Sequence, residues 1–501
     1  MKGFGIDFGT TNSLIAYFNP DIAAEPLGAF MDAGRPHPSL VWYRPDAQQP
    51  VVGWEARRQM HAMQNQMGHR FVHSVKRQMA EAREIAIMGT ERKPAREVGA
   101  DILSFLVEHA RRKSPDAADG LNSCVLTVPV YSSGKYRREL RRAAEQAGLQ
   151  VQSFTHEPFA AVFGWFYSQR ADFRNLPNQK ILVFDWGGGT LDITLVQVQD
   201  GRIFELGNAA LHDCAGDDFT ERLTALARDK FLGRTSLTVN QVVCEAETKD
   251  RVWVNVEDAK IKLSSDKSTV LNVPNYTASN GKGHDLSEAI FRDEYEQRIA
   301  SAAEGAKAKV HECLHRAGVE APLVDLVLLI GGTSRTPLVQ RMMHEVFVTK
   351  VAAVPDADAV IAKGAALISA HNWKPYLAKP ITVKLADDSY LPIFEHGQPL
   401  AAPVAQKRIT FYSTDWRNGA AQFLFYEQQK PRDMASQKTL NCNLIVPTSP
   451  NVQQVSELDR IIVSCSVTED LTVRIEAQSS SLGPPAKSIE IQDICYGLEI
   501  R

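Results

Sequence analysis

Asp185-Trp186-Gly187-Gly188-Gly189-Thr190-Leu191-Asp192 brings together the groups that a polyphosphate and a hydrated cation need. An apolar run (181–184) leads in and an alternating run (193–198) leads out. The pattern predicts a buried strand, a sharp turn and an antiparallel return strand. With no β-carbon at Gly187, Gly188 and Gly189, backbone N–H groups can close on an anion that side chains would exclude. Asp185 and Asp192 flank the turn and suit the water shell of Mg²⁺ or the polarisation of a water. Taken alone, the stretch also fits a plain hairpin with a glycine bulge.

The N-terminus repeats this grammar. Phe4-Gly5-Ile6-Asp7-Phe8-Gly9-Thr10-Thr11-Asn12-Ser13 and the strand after it again give strand, Asp, Gly, small hydroxyl residues, strand. A third glycine pair, Gly331-Gly332-Thr333-Ser334-Arg335, follows an apolar strand at 324–330. Three such turns closing on one cleft describe a nucleotide held between two related lobes. The chain contains neither G-x-x-x-x-G-K-[ST] nor G-x-G-x-x-G, so P-loop and dinucleotide-fold readings find no support.

The elements that must position these turns need more than one core. The 501 residues exceed the usual size of one domain, so two or more are expected. Hydrophobic content of 44% and charged content of 23% are ordinary for a globular protein. A net charge of −3 is too near neutral to suggest nucleic acid or anionic membrane as the principal partner, and neither is expected. No stretch approaches the ~20 apolar residues of a transmembrane helix. Met1-Lys2-Gly3-Phe4 runs directly into a strand, so no signal peptide is expected. The seven cysteines are scattered without a C-x-x-C and read as buried residues of a reducing compartment, which makes the cytoplasm the expected location.

The three turns resemble those of the actin-like ATPase superfamily, and in detail those of the Hsp70 chaperone family. Gly5 to Ser13 resembles that family's first phosphate segment, Asp185 to Asp192 its second, and Gly331 to Pro337 its adenosine segment. The resemblance implies an α/β fold over residues 1–372, a two-lobed actin-like ATPase built by duplicating a ribonuclease H-like unit. Lobe I would cover about 1–180 and lobe II about 181–372. A proline-containing linker is expected at 373–380. From residue 381 to 501, short alternating strands separated by turns predict an antiparallel β domain. It resembles, more faintly, the Hsp70 β-sandwich that binds extended peptides.

Further segments carry family residues onto this chain. Lys76, in Phe71-Val72-His73-Ser74-Val75-Lys76-Arg77, matches a lysine implied to touch the transferred phosphate and the attacking water. Glu157, in His156-Glu157-Pro158-Phe159-Ala160-Ala161, matches a carboxylate that holds a metal-bound water. Pro129 and Arg137 match a proline and arginine that relay nucleotide state between domains. Glu257, Lys260 and Ser264 lie at helical spacing, and the segment resembles the family's adenosine helix. Asp358 and Gly364 match the helix that closes the ATPase domain.

The implied chemistry is ATP hydrolysis by water. Gly9, Thr10, Thr11 and Asn12 on one side, and Gly187, Gly188, Gly189 and Thr190 on the other, would cradle the phosphates. Asp7 and Asp185 would hold the water shell of Mg²⁺. Lys76, Glu157, Asp185 and Asp192 would position or polarise the nucleophile. Glu257, Lys260, Ser264, Gly331, Gly332, Thr333, Arg335 and Asp358 would bind the nucleoside. ATP or ADP with Mg²⁺ is the expected cofactor set, with K⁺ left open as a companion ion. Unfolded or extended polypeptides are the implied clients; a J-domain protein and a nucleotide exchange factor are the implied helpers.

Several positions depart from the family pattern. Ala215 replaces a glycine before Gly216-Asp217-Asp218-Phe219, and Ile261 stands where an arginine usually stacks on the adenine with the one matched by Arg335. Ser153 replaces an arginine used by J-domain partners, and the linker lacks the acidic-leucine run that docks on the ATPase. Residues 78–96 are shorter than in most members, so the first outer subdomain is expected to be reduced. No helical lid is expected after the β domain. His311-Glu312-Cys313-Leu314-His315 satisfies H-E-x-x-H, but with no evident third ligand it reads as exposed histidines on a helix spanning 288–317. The leading expectation is therefore an ATP-dependent chaperone. A nucleotide-sensing scaffold with one dedicated partner is the main alternative, ahead of a polymerising actin-like protein or a sugar kinase.

Overall fold

Gly3–Phe8 and Asn12–Phe18 form the first hairpin, and Gln179–Trp186 and Leu191–Gln199 form the second. Both central strands are buried on both faces, as their near-continuous apolar runs require beside parallel neighbours. In the computed structural model, Gly3–Phe8 pairs in parallel with Ser123–Val128, which in turn pairs with Gln150–His156. Gln179–Trp186 pairs in parallel with Leu326–Ile330, which in turn pairs with Val351–Ala352. On the antiparallel side, Asn12–Phe18 continues to Leu27–Ala29, and Leu191–Gln199 continues to Arg202–Leu211. Both sheets thus share one strand order, which is the duplication the two hairpins imply. The structure describes all residues except 23–25, 63–69, 82, 89, 213, 236, 243–245, 280–281, 349, 353, 401–405, 415–418, 431–432, 450–457, 493 and 501.

Two helices hold the lobes at a common seam. Glu157–Ser168 and Val360–His371 cross where a methyl at Gly364 would collide with the Ala160 carbonyl. A β-carbon on Gly5 would likewise run into the backbone of Ala366, so Val360–His371 lies flat on the lobe I sheet. This corrects the sequence division at one point. The helix assigned to lobe II by its place in the chain packs on lobe I, where its small alanine and glycine face allows close backbone approach.

Helix positions follow the sequence pattern closely. Lobe I carries the helices Trp54–Ala62, Ala95–Lys113 and Gly134–Gln146, and the segment with Glu257, Lys260 and Ser264 lies in the helix Ala246–Ser265. The helix read from residue 288 begins only at Arg292, since Glu288 belongs to the strand Lys282–Phe291. The reduced outer subdomain carries a small hairpin of Glu84–Met88 and Glu91–Pro94.

The β domain consists of two four-stranded antiparallel sheets. One orders Tyr390–Phe394, Ile381–Lys384, Ala420–Lys430 and Asp433–Pro447. The other orders Gln406–Tyr412, Arg460–Val467, Val473–Ser479 and Lys487–Ile491. Phe423 and Phe425 are buried in its core.

The predicted linker is structured otherwise than expected. Lys374–Leu377 forms a strand at the edge of the lobe II sheet. Between it and Arg202–Leu211 lies Tyr496–Glu499, antiparallel to both. Residues 496–499, included in the β domain by the sequence division, therefore complete the lobe II sheet. Pro375 sits on an outermost strand, where its missing N–H costs no ladder bond.

Candidate functional site

The two hairpin turns face one another across the seam. A β-carbon on Gly188 would collide with Thr11 Oγ1, and one on Gly189 would lie 2.6 Å from Thr10 Oγ1. Gly187 N donates to Thr190 O at 3.0 Å, closing the second turn. In the first, Ser13 Oγ accepts from Gly9 N at 3.2 Å and lies 2.8 Å from Ser39 Oγ, which donates to Gly9 O at 2.9 Å. Asn12 opens the return strand with its side chain exposed. The third turn abuts the second. Gly331 has a φ of 77°, and a β-carbon there would lie 2.6 Å from Asp185 Oδ1. Thr333 Oγ1 donates to Gly187 O at 2.9 Å, while Gly332 stands in open space.

Four carboxyl groups and one ammonium converge behind these turns. Lys76 Nζ lies 2.6 Å from Glu157 Oε1. Asp7 Oδ1 accepts from Thr127 Oγ1 at 3.1 Å, and Asp192 Oδ2 accepts from Thr190 Oγ1 at 2.7 Å. Asp185 and Asp192 sit opposite each other in register across the hairpin. Burial, reinforced by the Glu157 carboxylate, pushes Asp7 up to about 6 and Asp192 up to about 6. Asp185 is raised well above the ordinary range by burial and by Glu157, Asp192 and Asp7. Burial pulls Lys76 down, but Glu157, Tyr136 and Asp7 outweigh it and hold the ammonium above its usual value. Such crowding has too little positive charge, which a divalent cation would supply. The buried Asp192 Oδ1 also has no hydrogen-bond partner. Orphaned oxygen, glycine cradle and all-oxygen donors together fit Mg²⁺ and phosphate.

The nucleoside side is organised around lobe closure. Glu257, 2% exposed, is ion-paired to Arg57 at 2.6 Å, and Arg57 also holds Asp258 at 2.6 Å. Lys260 Nζ donates to Gly216 O at 2.7 Å and Thr220 Oγ1 at 2.9 Å, while burial lowers its basicity. Ser264 is half-buried on the same helix, and Ile261 is 58% exposed. Arg335 pairs with Asp358 at 2.8 Å. Ala215 adopts an ordinary extended φ of −134°, so its backbone does not require the family glycine.

Sequence reasoning missed the residues that bridge the lobes. Ser74, with a left-handed φ of 55°, donates to Asp217 Oδ2 at 2.6 Å. The His73 ring stacks on Trp253 with centroids 4.3 Å apart. Asp217 carried a signal, since it begins a helix beside the glycine turn; Arg57 carried none. Arg137, 3% exposed, donates to Asp470 O at 2.6 Å and Gln492 O at 2.8 Å, joining lobe I to the sandwich. Pro129 ends the preceding strand, and its carbonyl accepts from Ser132 N at 3.0 Å. In the H-E-x-x-H segment, His311 and His315 are exposed, and Glu312 is held by Lys309 at 2.6 Å and by Arg316. Among the described residues no three His, Cys, Asp or Glu side chains are grouped to ligate a metal directly, at the H-E-x-x-H segment or among the site carboxyls, so the carboxyls suit a cation held through its water shell. Cys124, Cys214, Cys313 and Cys465 form no disulfide, and no described helix is long and apolar enough to cross a membrane.

Comparison with known proteins agrees with this geometry. The family model described as Hsp70 protein matches residues 3–375. The chain is 30% identical over 368 residues to Chaperone protein DnaK of Thermotoga neapolitana, covering 73% of this chain and 59% of that one. It is 30% identical over 370 residues to the DnaK of Mycoplasma mobile, covering 73% and 57%, and 26% identical over 367 residues to that of Thermosipho melanesiensis, covering 73% and 58%. The match thus spans under two thirds of those relatives' length. Two lobes of one topology, facing phosphate turns and a family match over most of the chain lead to one conclusion: this protein belongs to the Hsp70 family.

Proposed function

We propose that the chain is an ATP-dependent Hsp70-type chaperone that hydrolyses ATP between its lobes and couples this to holding extended polypeptide on its sandwich. The observation that carries the reading is the Lys76–Glu157 pair, 2.6 Å apart, set among Asp7, Asp185 and Asp192 behind facing glycine turns. Backbone N–H groups of the two turns bind the phosphates, at Thr10 and Thr11 on one side and from Gly188 to Thr190 on the other, while Gly9 N and Gly187 N close the turns themselves. Lys76 holds the transferred phosphoryl oxygens and the attacking water. Glu157 and Asp192 orient that water by accepting its protons. Asp7 and Asp185 are the residues that would hold Mg²⁺ through water, and the ion would supply charge stabilisation at the phosphates. The names of the related DnaK proteins support the chaperone part of this reading.

Turnover measured with and without a panel of extended hydrophobic peptides tests it, alongside Lys76→Ala. Peptide stimulation that the variant lacks is the expected result; turnover indifferent to every peptide would contradict the coupling. A second reading, a nucleotide-sensing scaffold for one dedicated partner, is favoured by the buried Arg137 contacts that fasten the sandwich to lobe I. One stably co-purifying protein with little turnover would select it. J-domain stimulation and nucleotide exchange factors belong to the first reading, and a cytoplasmic location suits both.

A further inference from the structure

Tyr496–Glu499 is separated by nearly the whole sandwich from the sheet it completes. On one side Ile203 pairs with Leu498 and Phe204 with Gly497; on the other Pro375 pairs with Leu498 and Tyr376 with Gly497. Ala378 N donates to Cys495 O at 2.9 Å and Ile500 N to Gly201 O at 2.8 Å, extending the ladder at both ends. Gly497 leaves no room for a side chain: a β-carbon would lie 2.5 Å from Ile203 O and 2.7 Å from the Tyr376 ring. The Arg202 guanidinium closes over that ring at 5.0 Å. The chain therefore leaves the ATPase sheet for the sandwich and returns to it through adjacent strands.

The returning strand also reaches the site. The buried Tyr496 ring lies 4.2 Å from that of His156 and meets Phe159 edge-on at 6.0 Å. His156 ends the strand Gln150–His156, and the next residue, Glu157, starts the helix and carries the ion pair to Lys76. The ring of Tyr496 thus wedges the hinge between that strand and helix. We infer that Tyr496–Glu499 is an internal strap that fixes the sandwich to lobe II, and that Tyr496 is a positioning residue for Glu157, acting through His156. Releasing residues 373–380 alone leaves the sandwich anchored. The positioning half rests on Glu157 and Lys76 being the hydrolytic pair; the strap does not.

Amide hydrogen exchange on the full chain, without nucleotide, with ADP–Mg²⁺ and with ATP–Mg²⁺, tests the strap. Joint protection of residues 374–377 and 496–499 in all three states is expected. Rapid exchange of 496–499 in the nucleotide-free protein, or its release by either nucleotide, overturns the strap. For positioning, Tyr496→Ala is expected to lower kcat about tenfold while the KM for ATP stays within about twofold, and Tyr496→Phe to restore kcat, since rings make the contact. Unchanged kcat in Tyr496→Ala, equal changes in kcat and KM, or no rescue by phenylalanine overturns it. Wild type without turnover would remove the hydrolytic reading and the positioning role together, leaving exchange to decide the strap.

Discussion

Lys76 meets its partner Glu157 at 2.6 Å, with the buried carboxyls of Asp7, Asp185 and Asp192 grouped around the pair. On the proposed mechanism, removing the ammonium takes away positive charge that Lys76 brings to the transferred phosphate. Lys76→Ala is accordingly expected to lower the hydrolysis rate by roughly 10²-fold or more, measured in single-turnover assays. Ile261, largely exposed on the nucleoside helix, lacks a planar cation to stack on a base. Ile261→Arg should strengthen ADP binding by ~0.5–2 kcal/mol in a titration, and equal affinities would remove the stacking argument. The buried His37 is pushed down to about 4 by burial, with His109 and Lys113 adding to the effect against Asp32 and the Phe30 carbonyl. The folded state resists a proton that the unfolded chain accepts near the ordinary imidazole value. Stability is therefore lost as pH falls from about 6.5 towards 4, by up to ~3 kcal/mol, and is retained above that range. Asp7 and Asp192 act in the opposite sense in cation-free protein. The imidazole share is thus read as the difference in melting temperature between wild type and His37→Asn across that range. At this scale the glycine turns were legible because each demands a backbone approach that only glycine permits. Arg57 was not: a lone arginine on an amphipathic helix carries no spacing signal, and its partner Glu257 lies 200 residues away.

At the scale of elements, Trp54–Ala62 and Ala246–Ser265 close the cleft through Arg57, Glu257 and Asp258. On the proposed function, these helices must part before nucleotide leaves. Arg57→Ala leaves Glu257 buried without its cation and should speed ADP release about tenfold or more in a stopped-flow displacement experiment. An unchanged release rate would show that closure does not depend on this pair. The seam between Glu157–Ser168 and Val360–His371 tolerates no added atom, so Gly364→Ala should lower stability by ~1–3 kcal/mol in denaturant unfolding. Helices and hairpins were readable from apolar period and turn residues. The strand Lys374–Leu377 was not, because Pro375 and Pro380 gave a linker signal that an edge strand overrides. Tyr496–Glu499 is too short to show a period, and its pairing is decided by strands far away in sequence.

At the scale of the molecule, one strand order used twice places two glycine turns face to face, and the two packed helices join the lobes. The sandwich joins lobe I through Arg137 and lobe II through adjacent sheet strands, so any change in lobe angle is transmitted to it at two points. The two-lobe plan could be read from the paired hairpins alone, whereas the fastening of the sandwich is purely tertiary. The central claim is that the facing turns hold a magnesium-bound adenine nucleotide. Calorimetric titration of the full chain with ADP, with Mg²⁺ and with chelator, tests it most directly. Saturable uptake at one site that requires the metal and disappears in Gly188→Val is the expected result. No uptake at millimolar nucleotide with the metal present would contradict it.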